Sequence, residues 1–243
     1  MGTKVGDEYI QLNTAIIQIE NEYYSSIRPK RLVGSGERPI NALRENGIEY
    51  VEIRALDNNV YDPFGISDET AIFLEGFLFY CLISEDQPCD ADEINKIQNN
   101  WGNVVLSGRD DDLELHLKEG SVLLRDKATE ILDAMTNFES LIGDKEYRNL
   151  FKRSLKSQRQ KISDSNMTPS GKLLQEINTS GLTWDQYINQ IAISHKEEIL
   201  KSKRDVHYLE EQAKESLEEF AIKEAQKEKD FDSFLAEYLS AIE

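Results

Sequence analysis

The segment GIEYVEIRALD, residues 47–57, decides how the first part of the chain folds. Side chains of different character alternate through it, which is the pattern of a β-strand with two distinct faces. Tyr50, Glu52 and Arg54 share one face, and the opposite face is apolar. We therefore predict a strand over residues 48–56. The same alternation fits the solvated outer face of an antiparallel strand, so spacing alone leaves a plain surface and the wall of a site both open.

A second alternating segment lies upstream, at residues 15–24, and predicts another strand. Glu20 and Glu22 would align on its polar face, and the cations Arg28 and Lys30 follow shortly afterwards. Carboxylates are ligands that Mg²⁺ accepts, and cationic side chains bind phosphate or carboxylate. Two acidic strand faces that each end near cations therefore fit the wall of a site for Mg²⁺ and phosphate.

From residue 62 onward the apolar periodicity becomes helical. Ser67 is a predicted N-cap, Thr168 precedes a proline suited to the first helical position, and Thr183 with Gln186 forms a capping box. The interleaved charges of residues 203–229 are typical of a solvated surface helix. The predicted helices cover residues 67–83, 91–101, 119–141, 145–161, 168–181, 183 onward, 203–229 and 231–239.

Few strands followed by many helices predict an α+β fold. We expect residues 1–60 to supply strands of a catalytic sheet and residues 61–243 to form a helical region around it. Two strands do not make a stable sheet by themselves. Either another chain completes the sheet, or the sequence lacks its beginning.

Composition excludes several classes of protein. The formal charge of -18 and the pI of about 4.6 argue against nucleic-acid binding, because phosphate backbones would repel the chain. Two cysteines in 243 residues form no disulfide framework. The first residues lack a signal peptide, and the longest apolar stretch, residues 71–83, is too short to span a bilayer. We expect a cytoplasmic protein that binds neither nucleic acid nor membranes.

Two motifs carry a resemblance to a known family. QIENEYY at residues 18–24, followed by IRPKR at 27–31, and GIEYVEIR at 47–54 closely resemble signatures of the proteobacterial-type glutamate–cysteine ligases. The interval between the motifs matches as well, and weaker similarity runs over nearly the whole chain. The resemblance implies a fold related to glutamine synthetase, in which a curved, mostly antiparallel sheet forms a funnel that holds the active site.

The resemblance also implies the chemistry. ATP would phosphorylate the γ-carboxylate of L-glutamate with the help of Mg²⁺, and the amine of L-cysteine would then displace the phosphate, as in the first step of glutathione biosynthesis. The position matching Glu52 is a magnesium ligand in the family. The one matching Arg54 contacts the glutamate and phosphate, and the one matching Tyr24 binds the carboxylate of cysteine. Four more residues of the motifs have no assigned role and are candidates for the site wall: Glu20, Glu22, Arg28 and Lys30.

Members of this family are about twice as long, and their N-terminal half supplies further metal-binding carboxylates and much of the substrate pocket. The resemblance therefore implies that the chain is the C-terminal half, that its missing partner is the N-terminal half, and that it is inactive alone. Two alternatives stay open. One is a related ATP-dependent carboxylate–amine ligase with another amine acceptor, and the other is an inactive interaction fragment.

Overall fold

The computed structural model describes residues 3–19, 22–34, 37–85, 88–201, 206–226 and 229–240. They divide into two compact units, one formed by Met1–Asp57 with Arg204–Glu243 and the other by Asn58–Lys203. Helices dominate and the strands form antiparallel pairs, so the α+β class is confirmed. The functional division at residue 60 stays a prediction.

Six short strands and nine α-helices occur within the described ranges. The strands pair as three separate two-stranded ribbons, β1 with β2, β3 with β4, and β5 with β6. The strands are β1 (Lys4–Val5), β2 (Glu8–Tyr9), β3 (Ile27–Lys30), β4 (Tyr50–Ile53), β5 (Glu114–His116) and β6 (Ser121–Leu123). The helices are α1 (Pro39–Asn46), α2 (Asp68–Ile83), α3 (Ala91–Ser107), α4 (Leu124–Thr136), α5 (Lys145–Ser163), α6 (Pro169–Ser180), α7 (Trp184–Lys201), α8 (His207–Glu224) and α9 (Phe231–Ser240).

The strand predicted at residues 48–56 is confirmed over Tyr50–Ile53. Its antiparallel partner is β3, which begins after the upstream segment in which we expected a strand. Two further backbone bonds extend the ribbon beyond the strand ends, from Glu49 N to Lys30 O at 2.9 Å and from Arg54 N to Ser26 O at 2.7 Å.

The strand predicted at residues 15–24 is wrong, because residues 12–19 form a series of bends. The side chain of Gln18 causes this. Its Oε1 accepts from the backbone N–H groups of Leu12 and Asn13, at 2.7 and 3.0 Å, and its Nε2 donates to the carbonyl of Ala15. Local side-chain bonds of this kind replace the ladder that a strand would need. The described residues 12–19 therefore present no alternating strand face, and Glu20 lies outside the described residues.

In the first unit, Arg38, which directly precedes α1, contacts α9. Leu235 of α9 is 5% exposed and Ala42 of α1 is 2% exposed. The guanidinium of Arg38 lies 4.6 Å from the centre of the Tyr238 ring, and its Nη1 donates to the Tyr238 carbonyl at 3.3 Å. These contacts fix the last helix, which the sequence predicted as an amphipathic segment.

The core of the second unit lies between α2, α4 and α5 and contains Leu132, Met135, Phe138, Phe151 and Leu155. Helices α2 and α5 approach closely where α2 carries a glycine. A Cβ atom added at Gly76 would lie 2.5 Å from Cε2 of Phe151. The close packing of these helices therefore depends on a residue without a side chain.

Local cap signals were predicted correctly. The side chain of Ser67 accepts a hydrogen bond from Thr70 N at the start of α2. That of Thr168, which directly precedes Pro169, accepts one from Gly171 N at the start of α6. Thr183 N donates to Gln186 Oε1 at 3.0 Å, and Gln186 N donates to Thr183 Oγ1 at 3.4 Å, which completes the capping box.

The helix predicted over residues 119–141 begins later than expected, because residues 114–123 form the β5–β6 hairpin. Gly120 turns the chain with φ +139°, and Leu117 N donates to its carbonyl at 2.8 Å. The side chain of Asn100 on α3 then bonds both the N–H and the C=O of His116, at 2.9 and 2.8 Å. These two hydrogen bonds from α3 therefore stabilise the hairpin. No helix in the described part of the chain is long and apolar enough to cross a membrane.

Candidate functional site

The β3–β4 ribbon brings candidate site residues from both motifs onto one face. Its register sets Arg28 opposite Glu52 and Lys30 opposite Tyr50. Directly opposed residues of an antiparallel pair project to the same side, and alternate residues along a strand do likewise. Arg54 follows β4 on that side, so the two motifs meet although the chain between them is long.

Four of these residues form what we call the strand-face cluster, which consists of Tyr24, Lys30, Glu52 and Arg54. Arg54 Nε donates to Glu52 Oε1 at 2.7 Å, and Lys30 Nζ lies 3.3 Å from Glu52 Oε2. The guanidinium carbon of Arg54 lies 5.2 Å from the centre of the Tyr24 ring, which is within the range of a cation–π contact. All three residues proposed as metal or substrate ligands are thus neighbours.

The cluster keeps Glu52 ionised. The hydrogen bond from Arg54 lowers the pKa of Glu52 below its ordinary value, and the bond from Lys30 acts in the same direction. The same contact with Glu52 raises the pKa of Arg54. The charged side chains remain 25–35% exposed, so water or a ligand reaches them. Ion pairs with this exposure contribute little to stability.

The ribbon face is locally cationic in a chain whose formal charge is -18. Among the described residues of this face, Arg28, Lys30 and Arg54 share the ribbon face with the carboxylate of Glu52, which gives three positive charges against one negative. The side chain of Arg28 has neither an ion pair nor a hydrogen bond within the described ranges. A half-exposed surplus of cations is suited to a ligand that carries phosphate or carboxylate groups.

The remaining candidates for the site wall differ from one another. Glu20 lies outside the described residues. Glu22 Oε2 accepts from Gln18 N at 3.1 Å, so this carboxylate closes the bent segment and makes no contact with the cluster among the described residues. A role for Glu22 in the site stays a prediction.

Two charged residues that we did not select hold the end of the ribbon. Arg31 Nη1 donates to the carbonyl of Asn46 at 2.8 Å, and Glu49 Oε2 accepts from Leu32 N at 3.1 Å. Continuing the register by one pair from Lys30 and Tyr50 places Arg31 opposite Glu49. The register of β3 against β4 would therefore have identified these two residues as ones that stabilise the end of the ribbon.

The strand-face cluster supplies only part of the ligand set that a magnesium ion needs. Mg²⁺ is usually held in proteins by one or two carboxylates together with substrate phosphates. Glu52 offers one exposed carboxylate, but both of its oxygens contact cations, so a metal would replace at least one of those contacts. No group of three or more His, Cys, Asp or Glu residues is arranged to hold a metal within the part of the chain that the structure describes.

Comparison with known proteins agrees with the geometry. Residues 1–104 match the family model described as glutamate-cysteine ligase. Over these residues the chain is similar to the glutamate–cysteine ligases. It is 37% identical to the glutamate–cysteine ligase of Alcanivorax borkumensis over 98% of this chain and 47% of that protein. It is also 37% identical to the enzyme of Pseudomonas entomophila, over 100% of this chain and 46% of that protein.

A solved structure has the same fold. The glutamate–cysteine ligase of Francisella tularensis, crystallised in complex with AMP, superposes with a TM-score of 0.85 and 32% identity. The match covers 96% of this chain and 47% of that one. The chain therefore spans about half the length of the relatives that it matches. The structural match includes residues of both compact units, so the similarity is not confined to the two motifs.

Proposed function

We propose that the chain forms one half of the active site of an ATP-dependent ligase that joins the amine of L-cysteine to the γ-carboxylate of L-glutamate. The observation that carries the proposal is the strand-face cluster. It gathers Tyr24, Glu52 and Arg54, the residues for which the family resemblance implies ligand roles, because Arg54 contacts both Glu52 and the Tyr24 ring. The sequence similarity to glutamate–cysteine ligases over 98% or more of the chain supports the same reaction.

Arg54 is the residue best placed to hold the γ-carboxylate and the phosphoryl group. A guanidinium presents two parallel N–H donors to a carboxylate or phosphate, and Glu52 occupies only the Nε side of this one. Lys30 and Arg28 add positive charge on the same ribbon face. Tyr24 is 69% exposed beside Arg54, so its hydroxyl is available to the carboxylate of cysteine.

The reaction has two balanced steps. An oxygen of the γ-carboxylate attacks the terminal phosphorus of ATP, and ADP departs with the electron pair of the broken P–O bond. The cysteine nitrogen then attacks the acyl carbon, inorganic phosphate leaves, and the amine loses a proton. Charge builds up on phosphate oxygens in both steps, and fixed cations stabilise it. Arg54, Lys30 and Arg28 serve that purpose, while Glu52 would hold Mg²⁺, which neutralises phosphate charge when it is bound.

Our proposal assigns this chain the C-terminal half of the enzyme, with the other half as its partner. The cluster offers one metal carboxylate, and the described residues form no larger acidic group. The chain alone is therefore expected to be inactive. A cytoplasmic location also stays a prediction from the sequence.

A chimera tests the proposal. This chain would replace the matching half of the Alcanivorax borkumensis relative, to which it is 37% identical. We expect steady ADP release only when ATP, Mg²⁺, L-glutamate and L-cysteine are all present. The chain alone, assayed in parallel, should release none above background.

Three results would overturn the proposal or change it. A chimera that folds, as judged by circular dichroism, and binds ATP but releases no ADP would favour an inactive interaction fragment. Equal rates with L-alanine or glycine in place of L-cysteine would favour a ligase for another amine. Full activity of the isolated chain would contradict its role as half of a site.

A further inference from the structure

The second unit contains a cleft of about 280 Å³ between α2, α4 and α5. Its walls are mostly apolar: Phe73 and Phe77 come from α2, Leu124 and Leu132 from α4, and Ile162 from α5. No residue of the strand-face cluster lines it. The volume is near the lower end of the range for small-molecule sites, and such sites combine apolar walls with a few polar groups.

Lys161 supplies a part-buried charged group to this cleft, which the polar residues Gln158 and Ser165 also line. Its side chain is part-buried among the apolar walls and donates to Gln158 Oε1, a neutral partner, at 3.3 Å. Within the described residues its ammonium forms no ion pair, although Glu69 is near enough to favour the charge. Burial lowers the pKa of Lys161.

An ammonium in these surroundings is costly unless it meets an anion. Moving a charge out of water is unfavourable, and a hydrogen bond to a neutral amide offsets only part of the cost. A carboxylate that enters the cleft would pair with Lys161 where water is scarce, and there the pair is stronger than on the surface.

Four more charged residues stand at the rim of the cleft, and they do not decide its preference. Arg109 and Arg125 are exposed, as are Asp110 and Asp111, so the rim carries two charges of each sign. Exposed charges are hydrated and screened by salt. The sign of the ligand is therefore set by the inner ammonium, and the shape of the ligand by the apolar walls.

We propose that this cleft binds a small molecule with an aliphatic or aromatic body and one carboxylate, which pairs with Lys161 while the body lies against Phe73 and Phe77. The proposal does not depend on the proposed function, because it rests on residues of the second unit alone.

Octanoate is a suitable probe, titrated into the full 243-residue chain and followed by isothermal titration calorimetry. Octylammonium and 1-octanol carry the same tail with a positive charge or with none. We expect saturable binding of octanoate with one site, and at least tenfold weaker binding of both controls. A charge-assisted hydrogen bond contributes enough free energy to give about this ratio.

Two variants locate the site. Lys161→Met keeps most of the apolar stem but removes the charge, and should weaken octanoate binding about tenfold or more. Ala128→Phe places a ring in the cleft and should abolish binding of octanoate and 1-octanol alike. Lys156→Met is the matched control, since it removes an exposed lysine from the same helix outside the cleft and should leave binding unchanged.

The comparison among the three probes needs only the wild-type chain, so the proposal remains testable if a variant fails to fold. Octylammonium that binds as tightly as octanoate would overturn it, as would octanoate that shows no saturable binding. Unchanged octanoate affinity in a folded Lys161→Met variant would show that the anion does not meet this lysine, and would overturn it too.

Discussion

Arg54 Nε donates a hydrogen bond across 2.7 Å to Oε1 of Glu52, two positions earlier on the same ribbon face. Lys30, from the opposite strand, contacts the other oxygen at 3.3 Å. The predicted metal ligand is thus held between two cations, one from its own motif and one from the other. A metal bound by Glu52 would replace at least one of these contacts.

The first prediction concerns Glu52→Gln in the chimera. The amide keeps the size of the side chain but removes the negative charge, so ADP release should fall on the order of 100-fold or more. The temperature of unfolding should change little, because the ion pairs of Glu52 are exposed. Glu45→Gln on α1 is the control and should retain activity. Retained activity in Glu52→Gln would remove the metal-ligand assignment.

The second prediction concerns the protonation of Glu52, measured by NMR titration of its side-chain carbon in the full chain. Its pKa should lie below the ordinary value of 4.5. Because the bond from Arg54 is the largest cause, Arg54→Met should raise the pKa more than Lys30→Met does. A larger rise in Lys30→Met would contradict the geometry.

The sign of the pH effect follows from that pKa. A carboxylate whose pKa is lower in the folded state favours folding at pH values above its unfolded pKa. This contribution should be complete above about pH 5 and should be lost as the pH falls through the lowered folded pKa. In Arg54→Met most of that acid-dependent loss should disappear.

The third prediction uses two glycines within helices. In Gly76→Ala the new methyl group would meet the Phe151 ring at 2.5 Å, so the α2–α5 packing must open. We expect a loss of about 1–3 kcal/mol in the free energy of unfolding. The measurement is urea denaturation of the full chain followed by circular dichroism.

Gly102→Ala on α3 is the matched control for this measurement. Nothing lies within 4 Å of the new Cβ atom, and alanine is the better helix former. This variant should gain about 0.5–1 kcal/mol. Two changes of equal sign would show that helix propensity or helix packing has been misjudged at one of these positions.

The fourth prediction concerns the carboxylate that joins two tyrosines in the second unit. Glu176 Oε2 accepts from the hydroxyls of Tyr61 and Tyr187, at 2.5 and 2.6 Å. These bonds lower the pKa of Glu176, with that from Tyr187 the larger. Tyr61→Phe and Tyr187→Phe should each cost about 1 kcal/mol of stability, since the group is partly solvated.

The two tyrosine substitutions should not be additive. After one hydroxyl is removed, the carboxylate depends on the other, so the second substitution should cost more than it does in the wild type. A double-mutant cycle measures this coupling, which we expect to be at least about 0.5 kcal/mol. Strict additivity would mean that the carboxylate does not bind both hydroxyls at once.

The fifth prediction concerns alkaline pH. Burial and the hydrogen bond to Glu75 raise the pKa of Tyr147 to about 12. Difference absorbance between the wild type and Tyr147→Phe should show this phenol ionising well after an ordinary tyrosine. A group whose pKa is raised in the folded state favours folding below its unfolded pKa, so stability should fall as the pH rises from about 10 toward 12.

Several features were predictable because neighbouring residues decide them. Alternation marked β4, and side chains within three positions of a helix start fixed the caps at Ser67, Thr168 and Thr183. The two motifs also pointed to the candidate site residues, among which Arg54 contacts both Glu52 and the Tyr24 ring.

Two secondary-structure predictions failed at places where a polar side chain bonds the backbone of other residues. At residues 15–24 the amide of Gln18 bonds the backbone of Leu12, Asn13 and Ala15 and bends the chain. At residues 114–123 two hydrogen bonds from the side chain of Asn100 hold the hairpin, and Asn100 lies on α3, sixteen positions before His116. The periodicity of apolar residues reveals neither the bonds of Gln18 nor those of Asn100.

Short-range patterns predicted the helices that follow residue 62, except for the start of α4, together with the caps at Ser67, Thr168 and Thr183 and the β4 strand. The two motifs carried the resemblance to a family. The tertiary structure decided that β3 pairs with β4, that Lys30 and Arg54 share the carboxylate of Glu52, and that Lys161 stands among apolar walls. The physical reason is distance along the chain. Pairings between residues far apart in sequence depend on which segments pack together, and the periodicity within one segment does not specify its partner.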